Sequence, residues 1–197
     1  MAVIKYASGE VICKIVYYGP GRAGKTTNVK YIYSRIAEDR KSEIVSMATK
    51  QDRTLFFDFL PLELGIFKRF NVRFQVYTVP GQVLYDSTRK LVLQGVDGLV
   101  FVADSRWDRL GDSKWSLENL WENLKENNID IEGLPIVIEY NKRDLIDVVP
   151  VEKLEEELNP DHYPSFTSIA TEGKGVIKVF KTIGIAVLKE IKKKLVE

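Results

Sequence analysis

The stretch Gly19-Pro20-Gly21-Arg22-Ala23-Gly24-Lys25-Thr26 satisfies G-x-x-x-x-G-K-[ST] at every position. A loop wrapped round a triphosphate must turn several backbone N–H groups inward, and glycines keep side chains out of that approach. Lys25 brings a point charge to the outer phosphates, and the Thr26 hydroxyl is an oxygen ligand for Mg²⁺. Further along, Asn141-Lys142-Arg143-Asp144 forms an N-K-x-D pattern. A carboxylate in the plane of a purine, here Asp144, accepts hydrogen bonds from the N1–H and N2 amine of guanine. Adenine has no such donor pair on that edge. Asn141 would brace the loop, and the aliphatic stem of Lys142 would lie over the base. In Ser168-Ile169-Ala170-Thr171 the Ala170 N–H is a donor for the guanine O6.

Thr78-Val79-Pro80-Gly81-Gln82 resembles the second switch of small GTPases. There Gly81 would sense the γ-phosphate through its N–H, and Gln82 would orient the attacking water. A turn that merely holds a glutamine is the plainer reading, and the two motifs above weigh against it. In Gln51-Asp52-Arg53-Thr54 the threonine can complete the Mg²⁺ shell when a γ-phosphate is present. Arg53 has two readings, a solvated loop arginine or a cation reaching the β–γ bridge in cis. Nucleotide contacts are thus expected from Gly19, Gly21, Arg22, Ala23, Gly24, Lys25, Thr26, Thr27, Thr54, Gly81, Asn141, Lys142, Asp144, Ala170 and Thr171. Mg²⁺ contacts are expected from Thr26 and Thr54, and catalysis from Gln82 and, on the second of its two readings, Arg53.

Such residues need rigid supports. Apolar runs predict strands at 13–18, 54–60, 73–78, 98–104, 136–141 and 165–170, several apolar enough to be covered on both faces. Helices are predicted from Thr26 to Ile36, along Leu117, Leu120, Trp121 and Leu124, over 151–158 after Pro150, and along Val176, Phe180, Ile183, Val187, Ile191 and Leu195. The alternation predicts an α/β fold, a mostly parallel sheet of six or more strands with helices on both faces. Ligands then bind at the carboxyl ends of strands, where the motifs fall.

The chain has 197 residues, 45% of them hydrophobic, and a formal net charge of +1. That is enough for one domain over 1–197, and too neutral for a global field that recruits nucleic acid. The single cysteine, Cys13, lies in the first predicted strand and is expected to be buried and reduced. Neither a signal peptide nor an integral membrane segment is expected, and the chain reads as cytoplasmic. His162 is expected in a surface turn, and Lys192, Lys193 and Lys194 on the solvent face of the last helix. Trp121 fits the buried stripe, while Trp107 and Trp115 are candidates for exposure.

Five strings carry a closer likeness: residues 13–21 (Cys-Lys-Ile-Val-Tyr-Tyr-Gly-Pro-Gly), 52–62 (Asp-Arg-Thr-Leu-Phe-Phe-Asp-Phe-Leu-Pro-Leu), 77–83 (Tyr-Thr-Val-Pro-Gly-Gln-Val), 95–105 (Gly-Val-Asp-Gly-Leu-Val-Phe-Val-Ala-Asp-Ser) and 140–145 (Tyr-Asn-Lys-Arg-Asp-Leu). They resemble the MglA family of bacterial Ras-like small GTPases, which act in gliding motility and cell polarity. The resemblance implies a P-loop NTPase with a Ras-like G domain, a GTP-hydrolysing switch with GTP-state effectors, and Thr78 in place of the usual Asp. Asp58 is the candidate to replace that carboxylate. It also implies slow intrinsic hydrolysis, stimulated by an MglB-like homodimeric activator of roadblock fold that repositions Arg53, and recruitment by partners to cell poles or the inner membrane surface. The competing expectations are a P-loop ATPase, which Asp144 opposes, and a GTP-binding scaffold with negligible hydrolysis, which Gln82 and Arg53 oppose.

Overall fold

Along Glu10–Tyr18 successive side chains alternate between two faces, and toward the C-terminal end both faces are buried. Cys13, Ile15 and Tyr17 join one apolar core, and Val16 and Tyr18 join another. A strand with no solvent face has to be central. In the computed structural model, which describes residues 3–35, 45–48, 54–67 and 70–194, this strand is β2. The elements run β1 (Val3–Lys5), β2 (Glu10–Tyr18), α1 (Lys25–Arg35), β3 (Val45–Ala48), β4 (Thr54–Phe67), β5 (Phe70–Thr78), α2 (Asp86–Leu93), β6 (Gly98–Asp104), α3 (Leu110–Glu126), β7 (Ile136–Asn141), α4 (Val151–Leu158), β8 (Ser165–Thr167) and α5 (Val176–Lys194).

The eight strands form one sheet in the order β3-β4-β5-β2-β6-β7-β8, with β1 also paired to β2. Strands β5, β2, β6, β7 and β8 are parallel, while β4 runs antiparallel to β5 and β3 antiparallel to β4. One edge of β2 is shared: β1 takes Glu10 to Ile12 and β6 takes Ile15 to Tyr18. Val29 and Ile32 of α1 pack with Val176, Val179, Ile183, Val187 and Ile191 of α5 on one face. Val92 and Leu93 of α2, Leu117, Leu120 and Leu124 of α3, and Leu154 and Leu158 of α4 cover the other. Among the described residues no helix is long and apolar enough to cross a membrane.

The structure adds β1, β3 and α2 to the predicted elements and extends β4 to Phe67. Strand β8 is shorter than the predicted 165–170. After Ser168 donates to the Tyr140 carbonyl, Ile169 turns back to pair with Lys174, so Ala170 lies in a turn. Ile36 and Leu195 lie outside the described residues. His162 is an exposed turn residue, as expected. Trp107 is exposed, whereas Trp115 is half-buried against the Arg89 guanidinium, 5.4 Å from its ring. Parallel strands end together, so the segments after β2, β5, β6 and β7 meet at one edge of the sheet.

Candidate functional site

Between β2 and α1 the backbone adopts positive φ at Gly19, Arg22 and Gly24. Lys25 is buried at the start of α1 and donates from Nζ to the carbonyls of Gly19 (2.8 Å) and Pro20 (2.7 Å). The lysine is therefore already folded over its own loop. A cavity of about 530 Å³ opens beside it, walled by Pro20, Gly21, Arg22, Gly24, Lys25, Thr26 and Thr27 of this segment, by Val79, Gly81 and Gln82, and by Arg109, Asp112 and Trp115. Of the predicted phosphate-binding residues, Gly21, Arg22, Gly24, Lys25, Thr26 and Thr27 thus share one cavity with Gly81 and Gln82 of the second-switch string, while Gly19 and Ala23 do not wall it. Mg²⁺ fits such a donor set: it takes few protein oxygens and keeps water and phosphate oxygens around it. The Thr26 hydroxyl is on a residue of the cavity wall, and the described residues contain no cluster of three His, Cys, Asp or Glu that would cage an ion unaided.

Gly81 lies directly on the loop. A Cβ added there would stand 2.2 Å from the Gly21 nitrogen and 2.4 Å from the Pro20 carbonyl carbon. The guanidinium of Arg89, on α2, holds this contact from behind. Its Nη1 donates to the Gln82 carbonyl at 2.5 Å and the Pro80 carbonyl at 3.4 Å. From the turn just before α3, Arg109 Nη2 donates to the Gly21 carbonyl at 3.0 Å.

Asn141, buried at the end of β7, joins the two halves of the site. Its Nδ2 donates to the Ala23 carbonyl (2.8 Å), and its Oδ1 accepts from the Ala170 N–H (2.9 Å) and lies 3.0 Å from the Ser168 hydroxyl oxygen. The brace expected of Asn141 is thus present, and the Ala170 N–H expected for a guanine O6 is engaged by it. Gly24 makes room for the brace: with φ +108°, a Cβ there would stand 2.2 Å from Asn141 Nδ2. Asp144 and Thr171 are exposed nearby. None of Asn141, Lys142, Asp144, Ala170 or Thr171 walls the cavity.

Lys142 has φ +68° and donates to Asp104 Oδ2 at 2.7 Å. Asp104, fully buried at the end of β6, also receives Arg106 through Nε and Nη2. Burial alone would raise the Asp104 carboxyl, but these donors hold it below its ordinary value. Beneath the loop, Glu139 Oε1 accepts from Asn28 Nδ2 (2.9 Å) and the Ser168 hydroxyl (2.5 Å). Glu139 Oε2, Asn28 Oδ1 and the Tyr17 hydroxyl are buried with no hydrogen-bond partner among the described residues. Burial pushes the Glu139 carboxyl up to about 7, against the lowering effect of its two hydrogen bonds.

Arg53 lies outside the described residues. Thr54 opens β4, paired opposite Ala48. Phe59 pairs with Tyr77, so Asp58 and Thr78 stand one step on from a paired position of neighbouring strands. Thr78 is buried. Sequence reasoning missed Arg89, Arg109, Asp104 and Glu139. A lone acid in the apolar run Ile136–Tyr140 is a signal for Glu139, and the strand-end rule is one for Asp104; nothing local marks the arginines.

Residues 2–192 match the model of the ADP-ribosylation factor family. The chain is 52% identical over 193 residues to the Mutual gliding-motility protein MglA of Myxococcus xanthus, across 98% of this chain and 99% of that one. It is 26% identical over 140 residues to ADP-ribosylation factor-like protein 6 of Caenorhabditis briggsae, across 71% of this chain and 65% of that one.

Proposed function

This chain belongs to the ADP-ribosylation factor family and, within it, to the MglA proteins, and is a GTPase; on that premise we propose that it is a GTP-hydrolysing switch of cell polarity or motility, armed with its own arginine and triggered by a partner. The observation that carries the reading is the seat of Gly81 on Gly21 with Gln82 in the wall of the same cavity. A γ-phosphate bound by the loop would meet the Gly81 segment, and its arrival or loss would move that segment. Gln82 orients the water. Lys25 and the loop N–H groups hold the β- and γ-phosphate oxygens, and Arg53 neutralises charge that develops at the β–γ bridge. Mg²⁺, when bound, stabilises the same oxygens, with Thr26 and Thr54 as its protein ligands. Asp144 reads the guanine edge, with Lys142 and the Ala170–Thr171 turn beside it.

The partner is an MglB-like homodimer of roadblock fold that repositions Arg53 and so accelerates hydrolysis. Effectors bind the GTP state, and partners carry the protein to cell poles or the inner membrane surface. Single-turnover GTP hydrolysis with and without such a partner tests this. Gln82→Leu and Arg53→Ala should each remove the stimulated rate while GTP affinity stays within about twofold of wild type. Stimulation that survives Arg53→Ala sinks the cis-arginine reading.

A further inference from the structure

Arg89 is the bulkiest of the fully buried side chains among the described residues, 1% exposed, and every arm of its guanidinium is used. A buried cation is tolerated only where it is thoroughly partnered, so the identity of the partners is informative. Nε donates to Asn119 Oδ1 of α3 (2.9 Å) and Nη2 to Asp86 Oδ1 of α2 (3.0 Å). Asn119 Oδ1 also accepts from the hydroxyl of Tyr18, the residue before Gly19, at 2.7 Å. Asn119 and Asn123 both donate to Asp86, at 2.9 and 3.0 Å. Two arms are thus anchored to α2, α3 and the end of β2. The third, Nη1, meets the carbonyls on either side of Gly81.

Peptide geometry gives that placement its consequence. In a trans peptide the C=O and N–H point in opposite directions. The Pro80 carbonyl points at Arg89, so the Gly81 N–H of the same peptide points away from it. Gly81 itself packs against Gly21 and Pro20, so the peptide whose carbonyl turns to Arg89 lies beside the phosphate loop. We propose that Arg89 is a positioning residue for GTP hydrolysis: its guanidinium fixes the Pro80–Gln82 backbone so that the Gly81 N–H and the Gln82 side chain serve the γ-phosphate end of the cavity. This rests on the roles given above to Gly81 and Gln82. The fork geometry matters as much as the charge, because an ammonium cannot span Asn119, Asp86 and the two carbonyls together.

The test measures four proteins, wild type, Arg89→Lys, Gln82→Leu and Leu154→Ala, for GDP affinity, affinity for a non-hydrolysable GTP analogue, single-turnover hydrolysis and Tm. Leu154→Ala truncates the buried core under α4 and supplies a destabilised protein whose switch backbone is untouched. Arg89→Lys is expected to keep GDP affinity within about twofold while hydrolysis and analogue-over-GDP preference each fall about tenfold, the equivalent of one lost charge-assisted bond. Wild-type hydrolysis and preference in Arg89→Lys, beside slow Gln82→Leu, overturn the proposal alone. Unimpaired Gln82→Leu overturns the reading it rests on. If Arg89→Lys loses GDP affinity and Tm only in step with Leu154→Ala, the arginine is structural and the proposal fails.

Discussion

Glu139→Gln should make this protein more stable at neutral and alkaline pH, and the gain should vanish in acid. Glu139 is fully buried in β7, and burial lifts its carboxyl from the ordinary 4.5 to about 7. The folded state therefore holds a proton that the unfolded chain gives up. Below pH 4.5 both states are protonated and the group is neutral in the balance. Between 4.5 and 7 unfolding releases a proton, so stability declines as pH rises; above 7 the folded protein carries a buried carboxylate at full cost. At about 1.4 kcal/mol per pH unit, that cost approaches roughly 3 kcal/mol. Glutamine keeps an oxygen for Asn28 and Ser168 and places an uncharged amide N–H group where the unpartnered Oε2 stands. Near pH 8 the variant should exceed wild type by roughly 3 kcal/mol, or roughly 6–12 °C in Tm for a domain this size. Near pH 4.5 the two should coincide. Urea unfolding of both proteins across this range, at one fixed GDP concentration, gives the difference free of other titrating groups. A variant-minus-wild-type difference that is flat from pH 5 to pH 8 would refute the burial argument.

Gly24→Ala forces a side chain onto Asn141 Nδ2 at a backbone conformation that disfavours one; GDP and GTP affinities should both fall, by about tenfold or more, in a fluorescent-nucleotide titration. Gly81→Ala cannot leave the Pro80–Gln82 segment on the phosphate loop, so hydrolysis and GTP preference should fall about tenfold while GDP binding persists; equal loss of both nucleotides would contradict the contact. Cys13 is fully buried and its thiol is pushed up to about 12 by burial and then by Asp97, so alkylation at pH 8 should run at least about a hundredfold slower in the native protein than in urea. Rapid native labelling would mean that β2 is more open than described.

What could be read from the chain depended on how far apart the interacting residues lie. The phosphate loop is legible because its chemistry demands glycine and lysine at fixed local spacing, and β6 and β7 because strands buried on both faces are near-continuous apolar runs, broken here only by Asp104, Glu139 and Asn141. Asn141 was identified as a brace by its motif, but its partners Ala23 and Ala170 are brought to it only by sheet order. The Arg89 clamp was invisible for the same reason: its α3 partner is 30 residues away, and an arginine on an amphipathic helix ordinarily faces water. The short β1 left no periodic signal, and it pairs by occupying an edge that β6 leaves free.

The Asn141 side chain has a thermodynamic consequence. One amide touches the loop proposed to receive phosphate and the turn proposed to receive the base, so neither half can be ordered without biasing the other. Binding at the two ends is then coupled, and a coupling of this kind is reciprocal. Guanosine and pyrophosphate offered as separate molecules should each tighten the other's binding, and Asn141→Ala should make them independent. On this account the intact nucleotide derives part of its affinity from the order that each of its ends imposes on the pocket of the other.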